Sequence, residues 1–272
     1  MKKVGLALSS GAAKGIAHIG VLAVLEREGI PVDFIAGTSM GALIGAFYAA
    51  GRTAEEIEEV IVGVNRKKMR SFFDFTLSGQ GIIRGERVIE WLRYSIDNAD
   101  FADLRIPFAC VAADINSGEK VVIDDGPVAE GVRASVSIPV LYMPFSWRGR
   151  HLVDGGLVDP VPVDVVREMG ADFIIAATVT PDKGKQLPKL SIAAGRMTEK
   201  PPGIFRMWRL LRKVRRGEVT DTGAARADIV IAPAVRGMRL RPGDRRRVAE
   251  LVSAGEHAAT EAVPVIRSEL GI

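Results

Sequence analysis

Short runs of apolar residues alternate along this chain with longer stretches in which apolar residues recur every three or four positions. A short unbroken run is typical of a buried strand, and the wider spacing is typical of an amphipathic helix. Strand-like runs lie at 4–8, 32–36, 106–115, 119–123, 151–153, 172–179 and 228–233, and helix-like stretches lie at about 14–29, 40–51, 53–64, 86–96, 129–135, 162–170 and 244–270. This alternation predicts an α/β fold, a three-layer α/β/α sandwich in which a mostly parallel central sheet carries helices on both faces.

The length of 272 residues allows one domain with a sizeable core. We find no internal repeat and no low-complexity tract, so residues 1–272 are predicted to form a single domain. Residues 181–226 are the one candidate insertion, because this stretch contains four prolines and is strongly basic. We expect it to be a partly mobile elaboration of the domain.

Charge is unevenly distributed, although the formal net charge is only +4. Between Asp182 and Arg216 there are eleven Lys or Arg residues and two Asp or Glu residues. Such a segment suggests an anionic partner, either lipid headgroups or nucleic acid, and the alternative is a solvated loop and helix face. Within it, 203–217 places apolar and aromatic residues at helical spacing on a basic background. This pattern predicts peripheral contact with an anionic membrane, with ordinary packing as an equal alternative and nucleic acid as the less favoured partner.

The single cysteine, Cys110, excludes an internal disulfide framework and a multi-cysteine zinc site. The start of the chain resembles a signal peptide, but its apolar core at 4–8 is shorter than that of a secretory signal. A first strand is the better interpretation. No stretch approaches the ~18 uninterrupted apolar residues of a membrane span. We therefore expect a cytoplasmic protein that can rest on a membrane surface.

A small hydroxyl residue lies where the second strand-like run meets a helix. The sequence Gly-Thr-Ser-Met-Gly at 37–41 matches the Gly-x-Ser-x-Gly nucleophile elbow, with Ser39 at its centre. Gly37 and Gly41 allow strand and helix to approach closely, and the turn projects the hydroxyl while the next helix aims its N-terminal N–H groups at the site. The alternative is a serine that only caps the helix.

A serine nucleophile needs a base and donors for an oxyanion. Asp154 is the favoured base, because it follows a short apolar strand and precedes Gly155 and Gly156, which permit a sharp turn. The chain order of Ser39, Asp154 and His257 also fits a histidine triad, but His257 falls inside the closing helix.

Oxyanion donors are expected from the backbone of the loop at 9–15, Ser-Ser-Gly-Ala-Ala-Lys-Gly, which joins the first strand to the first helix. This loop matches neither of the glycine-rich phosphate-binding patterns. The sequence also contains no cluster of metal ligands, so no metal and no cofactor is expected.

Several segments together resemble the bacterial patatin-like phospholipases over nearly the whole chain. They are GLALSSGAAKGIAHIGVL, GTSMGAL, IPFACVAADINSGE, ASVSIPVLYMPF, LVDGGLVDPVPV and RADIVIAP. The resemblance implies a patatin-like α/β/α fold and a Ser–Asp dyad without a catalytic histidine. It makes Ser39 the nucleophile that forms an acyl-enzyme, and Asp154 the base. Asp114 in this comparison is interpreted as a turn residue, and the ASVSIP segment is expected to pack beneath the active site.

The family's glycine-rich loop, G-G-G-x-[RK]-G, falls on residues 10–15 of this chain. The resemblance implies that the amides of Ser10, Gly11 and Ala12 hold the oxyanion, with Lys14 and Gly15 completing the motif. Two family glycines are replaced by Ser10 and Ala12, and a Cβ resists positive φ and narrows the space above the carbonyl.

The expected function is hydrolysis of lipid acyl esters, either of lysophospholipids and phospholipids or of simple carboxylesters. Two alternatives stay open at this stage. One is an acyltransferase that passes the acyl group to an acceptor other than water. The other is a catalytically weak lipid-binding or regulatory protein that retains the fold, which the two replaced glycines motivate. The sequence predicts no particular oligomeric state.

Overall fold

The computed structural model describes residues 2–74, 83–179, 223–241 and 243–272. The strands are β1 Val4–Leu8, β2 Phe34–Thr38, β3 Phe108–Asp114, β4 Lys120–Ile123, β5 Phe145–Trp147, β6 Arg150–Asp154, β7 Phe173–Ala177 and β8 Ile229–Ile231. The helices are α1 Ala17–Arg27, α2 Met40–Ala49, α3 Ala54–Gly63, α4 Arg66–Ser71, α5 Glu86–Ser95, α6 Val128–Ser135, α7 Val163–Glu168 and α8 Arg245–Leu270.

The strands form one mixed, mostly parallel sheet in the order β5-β6-β3-β2-β1-β7-β8, with β4 also paired to β3. β3, β2, β1, β7 and β8 run parallel to one another, whereas β4, β5 and β6 join through antiparallel pairings. The predicted fold class is confirmed. The short edge strand β5 and the short helix α4 were not predicted, because neither is long enough to show a clear period.

Two apolar layers enclose the sheet, since successive strand residues point to opposite faces. In β1, Leu6 and Leu8 enter the larger core with α1, α2, α6 and α8, whereas Ala7 faces the smaller core around α7. The smaller core contains mainly alanine on the strand side, which lets α7 pack close to the sheet. Helices therefore cover both faces of the sheet, as a three-layer sandwich requires.

Two of the predicted helix starts, at about 53 and 244, hold. Thr53 and Glu56 form a capping box at the start of α3, and α8 begins one residue after its N-cap, Asp244. The first helix differs, because Ala12–Ile16 form a 3-10 turn and the α-helix starts only at Ala17. The predicted insertion at 181–226 lies outside the described residues except for 223–226, and the predicted membrane helix at 203–217 lies outside them entirely.

β3 brings two strand ends together on one of its edges. Its Val111 pairs with Thr38 of β2, and the next residue, Ala112, pairs with Asp154 of β6. β4 pairs with the same two β3 residues from the other edge, so β2 and β6 occupy one edge of β3, end to end. Because β2 is parallel and β6 antiparallel to β3, their carboxyl ends meet at this point.

Candidate active site

Ser39 occupies a sharp turn between β2 and α2. Its backbone has φ 56° and ψ −118°, a left-handed conformation that non-glycine residues rarely adopt. The turn is tight: a Cβ added at Gly37 would lie 2.5 Å from the carbonyl oxygen of Gly41, and one added at Gly41 would lie 2.2 Å from that of Leu8. Glycine is therefore required at both positions, and the strained turn aims the Ser39 hydroxyl away from α2.

The Ser39 hydroxyl donates a hydrogen bond to Asp154 Oδ2, with 2.5 Å between the two oxygens. The other carboxylate oxygen of Asp154 accepts the N–H of Gly156 at 2.8 Å. Both side chains are almost fully buried, Ser39 at 5 % and Asp154 at 8 % exposure. The structure thus joins the two residues that the sequence placed 115 positions apart.

Burial raises the pKa of Asp154 from 3.8 to about 6, and the hydrogen bonds from Ser39 and Gly156 oppose this rise. Desolvation disfavours the charged carboxylate, whereas donors stabilise it. A base with a pKa about one unit below neutrality is mostly ionised at pH 7 and still accepts a proton readily. This combination suits a carboxylate that removes a proton from a hydroxyl group.

The chain's three histidines do not contribute to this pair. His257 lies on α8 with its side chain 79 % exposed, 3.5 Å from Glu261. His151 lies on β6 beside the hydroxyl of Ser146. His18 is fully buried on α1, and desolvation lowers its pKa to about 4. A histidine triad is therefore excluded by geometry.

The loop at residues 9–15 faces the dyad from the end of β1, but the first of its three expected donor amides is already engaged. The Ser10 N–H donates to the carbonyl oxygen of Pro160 at 2.8 Å, so Ser10 is not an oxyanion donor in this conformation, contrary to expectation. Within the described residues, no acceptor is found for the N–H groups of Gly11 and Ala12. The candidate donors are therefore reduced to Gly11 and Ala12.

Two residues, Ser10 and Ala12, stand where the family has glycine. Only Ala12 adopts the positive-φ conformation that a Cβ disfavours. Its φ is 46°, whereas Ser10 has no positive φ. At Gly11 the constraint is steric, since an added Cβ would lie 2.2 Å from Val179 Cγ2. Left-handed backbone costs a non-glycine residue roughly 1–2 kcal/mol. The loop therefore carries strain at Ala12 beside the dyad.

His18 supports this loop from below. Its Nε2 lies 2.9 Å from the carbonyl oxygen of Ser9, which makes it the donor of a hydrogen bond in the neutral Nε2–H tautomer. The Ser9 hydroxyl in turn donates to the Ser10 carbonyl at 2.9 Å and accepts the N–H of Val179 at 3.1 Å. His18 thus fixes the backbone that leads into the candidate oxyanion loop.

The ASVSIP segment lies beneath the site, as predicted, and two of its serines hold the dyad's backbone. The N–H of Ser39 donates to Ser135 Oγ at 2.8 Å, and the N–H of Asp154 donates to the carbonyl of Ser137 at 2.9 Å. Ser135 also donates to the Val111 carbonyl at 2.6 Å. The sequence offered no signal for these contacts, because neither serine lies in a turn motif.

The remaining motif residues act mainly through close packing. An added Cβ at Gly15 would lie 2.6 Å from Met40, and one at Gly155 would lie 2.2 Å from the carbonyl of Val111. Gly156 is less crowded, but its N–H holds the carboxylate. Lys14 is half-buried, and no ion pair to it is found in the described part of the chain.

An apolar cavity of about 360 Å³ begins at Ser39 and at the neighbouring loop residue Ala12. It runs between α2, α4, α5, α6 and the start of α8. Its lining includes Met40, Leu43, Trp91, Val136, Ile138 and Leu141. A cavity of this size and polarity is suited to an aliphatic chain whose polar end lies at Ser39.

The fold and this geometry define a class of protein: an α/β/α sandwich in which an elbow serine is hydrogen-bonded directly to a carboxylate. Residues 6–167 match the model of the patatin-like phospholipase family. The chain belongs to that family.

Relatives and one solved structure agree with this assignment. An uncharacterised NTE family protein of Mycobacterium tuberculosis is 34 % identical over 226 residues, which cover 83 % of this chain and 59 % of the relative. Lysophospholipase NTE1 of Candida albicans is 34 % identical over 184 residues, 65 % of this chain and 13 % of that protein. VipD from Legionella pneumophila shares the fold with a TM-score of 0.54 at 13 % identity, over 97 % of this chain and 67 % of that chain.

The chain spans 59 % or less of the length of these curated relatives. In the portions of the chain that the structure describes, no helix is both long and apolar enough to cross a bilayer. The same portions contain no group of three or more His, Cys, Asp or Glu side chains arranged to hold a metal ion.

Proposed function

We propose that this protein is a serine acyl hydrolase that cleaves lipid acyl esters through a Ser39–Asp154 dyad and an acyl-enzyme. The observation that carries the proposal is the 2.5 Å contact between Ser39 Oγ and Asp154 Oδ2, beside an apolar cavity that Ser39 lines. An acyl chain in that cavity has its carbonyl carbon beside the Ser39 hydroxyl.

In the first half of the reaction, Asp154 accepts the hydroxyl proton while Ser39 Oγ attacks the ester carbonyl carbon. The carbonyl oxygen becomes an oxyanion, which accepts hydrogen bonds from the N–H groups of Gly11 and Ala12. Preorganised amides of this kind commonly contribute about 2.7–4 kcal/mol each to transition-state stabilisation. The tetrahedral intermediate collapses, the leaving alcohol takes the proton from Asp154, and the acyl group stays on Ser39.

In the second half, Asp154 removes a proton from water, and the resulting hydroxide attacks the acyl carbonyl. The same amides hold the second oxyanion. As the intermediate collapses, the Ser39 oxygen regains a proton from Asp154 and the carboxylic acid is released. The net reaction consumes one ester and one water and yields one alcohol and one acid.

The proposed substrates are lysophospholipids, phospholipids and simple carboxylesters. Two observations support an aliphatic acyl group: the apolar lining of the cavity and the lysophospholipase named among the relatives. We further propose that the protein works in the cytoplasm with peripheral access to lipid, and contact of 203–217 with an anionic membrane stays a prediction.

A second candidate is a catalytically weak lipid-binding protein, which the engagement of the Ser10 N–H by Pro160 favours. One oxyanion amide fewer would lower turnover by roughly 10²–10³-fold. In this case the cavity still binds an acyl chain, but ester hydrolysis is slow.

A fluorophosphonate probe and a p-nitrophenyl ester test the proposal directly. We expect the wild type to be labelled and to turn over, whereas Ser39→Ala and Asp154→Asn lose both. The matched controls are Ser146→Ala and Asp125→Asn, which alter exposed side chains away from the site. Turnover that survives Ser39→Ala refutes the dyad, and a folded wild type that is not labelled favours the binding protein. A lipid alcohol added as acceptor separates transfer from hydrolysis.

A further inference from the structure

Two segments that are far apart in sequence meet at the wall of the Ser39 cavity. Met69 of α4 lines the cavity, and so do Leu240 and Arg245 around the start of α8. Both segments are rich in exposed cationic residues beside these lining positions. We call six of these side chains the cationic rim: Lys67, Lys68, Arg70, Arg239, Arg241 and Arg245.

Among the residues that the structure describes, ion pairs do not neutralise the cationic rim. Within the described residues, none of its six side chains forms an ion pair, although Arg246 and Arg247, the next residues of α8, both pair with Glu250. Clustered like charges without partners repel one another and attract a polyanion.

The acidic residues closest in sequence are engaged elsewhere. The Asp74 carboxylate accepts the N–H groups of Gly85 and Glu86 at 2.7 Å each, at the start of α5. The Asp244 carboxylate accepts the N–H of Arg247 as the N-cap of α8. Both carboxylates cap helices, and neither forms an ion pair with the cationic rim among the described residues.

An exposed apolar side chain accompanies these charges. Leu141 lines the same cavity and is 37 % exposed. Cations beside an exposed apolar residue are typical of surfaces that contact a bilayer, where the cations meet phosphates and the apolar group meets acyl chains. A soluble polyanion such as RNA would use the cations and leave Leu141 and the cavity unused.

We propose that the cationic rim docks the mouth of the cavity onto an anionic phospholipid surface. Lipid phosphates lie against the rim, and one lipid places its ester at Ser39 with the acyl chain in the cavity. This inference rests on the proposed function and names its substrate as a phospholipid presented by an anionic bilayer. The rim is separate from the 203–217 segment, which lies outside the described residues.

The binding experiment uses the Ser39→Ala protein, so that vesicles stay intact and docking is measured apart from catalysis. Vesicles of phosphatidylcholine alone are compared with vesicles that also contain phosphatidylglycerol, by co-sedimentation. Two charge-neutralised proteins are tested, Lys67→Gln/Lys68→Gln/Arg70→Gln and Arg239→Gln/Arg241→Gln/Arg245→Gln. The control, Lys2→Gln/Lys3→Gln/Arg27→Gln, removes three exposed cations that do not line the cavity and that pair with Glu269, Asp33 and Glu28. Circular dichroism verifies that each variant is folded.

We expect preferential binding to the anionic vesicles and its weakening by salt. Removing one cation near a lipid surface weakens partitioning roughly fivefold, so each rim variant should lose on the order of 100-fold while the control changes little. Equal partitioning of rim variants and control overturns the proposal, as does equal binding to both vesicle types. Tighter binding to single-stranded RNA than to anionic vesicles also overturns it, in favour of a nucleic-acid surface. Failure of the proposed hydrolysis would instead appear in the ester assay of the wild type.

Discussion

The buried carboxylate of Asp154 should reduce the stability of the folded protein at neutral and alkaline pH. Its pKa is 3.8 in an unfolded chain and about 6 in the fold, because burial disfavours the charged form. Above pH 6 the folded protein must hold this charge in a poor environment, whereas well below pH 3.8 the group is neutral in both states. A difference of about two pKa units corresponds to roughly 3 kcal/mol at about 1.36 kcal/mol per unit.

Asp154→Asn removes the charge and keeps the shape. The amide oxygen still accepts the Gly156 N–H, and the amide group can face the Ser39 hydroxyl. We therefore expect this inactive variant to be more stable than the wild type at pH 8, by up to about 3 kcal/mol in the free energy of unfolding. The gain should shrink as the pH falls through 6 and approach zero well below pH 3.8, since the wild-type group is then protonated in both states.

Urea unfolding at several pH values measures this difference, provided that the slope of the unfolding free energy against urea is unchanged. Asp125→Asn is the control, because its side chain is 60 % exposed and pairs only with Arg148 at the surface. We expect that control to change stability by less than about 0.5 kcal/mol at every pH. A stability gain for Asp154→Asn that is absent at pH 8, or that is equal at pH 4 and pH 8, would refute the reasoning.

Further predictions concern the same site. The kcat/KM for a soluble p-nitrophenyl ester should fall on the acid side with an apparent pKa near 6, and a profile that is flat between pH 5 and 7 would contradict Asp154 as the base. Ala12→Val should lower kcat about 100-fold, because a β-branched residue disfavours a φ of 46° and its backbone N–H is displaced from the oxyanion. Ala12→Gly should keep or raise kcat. Equal kcat values in the two variants would contradict the role of this loop as the oxyanion donor. His18→Leu should lower kcat about tenfold with little change in KM, because the Ser9 carbonyl loses its hydrogen-bond donor. His18→Gln should restore part of this loss. If His18→Leu lowers thermal stability but leaves kcat unchanged, His18 contributes only to core packing.

The site combines two destabilising features, strained backbone and a buried carboxylate, at the residues that the proposed chemistry uses. Ser39 and Ala12 both adopt left-handed backbone without being glycine, and Asp154 is a carboxylate held almost out of water. Each feature lowers the stability of the fold, and such features concentrate where geometry serves a reaction. The surrounding sheet holds the dyad in place, and Ser135 and Ser137 accept hydrogen bonds from the N–H groups of Ser39 and Asp154.

The sequence by itself determined the elements and the residue types of the site. Periodicity located the long helices and the buried strands, since periods of 3.6 and 2 residues follow from local backbone geometry. The Gly-x-Ser-x-Gly turn located Ser39, and the Asp-Gly-Gly turn made Asp154 a candidate. These signals are local, because each depends on what a few consecutive residues can do with their own backbone.

Tertiary structure alone decided which residues meet. Ser39 and Asp154 are adjacent because β2 and β6 share one edge of β3, a pairing that no local pattern specifies. The N–H of Ser10 is not available to an oxyanion, because it donates to the carbonyl oxygen of Pro160, a residue distant in sequence.

The supporting role of Ser135, the apolar cavity and the cationic rim likewise depend on contacts between segments far apart along the chain. Helix and strand signals arise within a few residues, whereas a site is assembled by long-range pairing. For this reason the chemistry of the site could be read from the sequence, but its geometry could not.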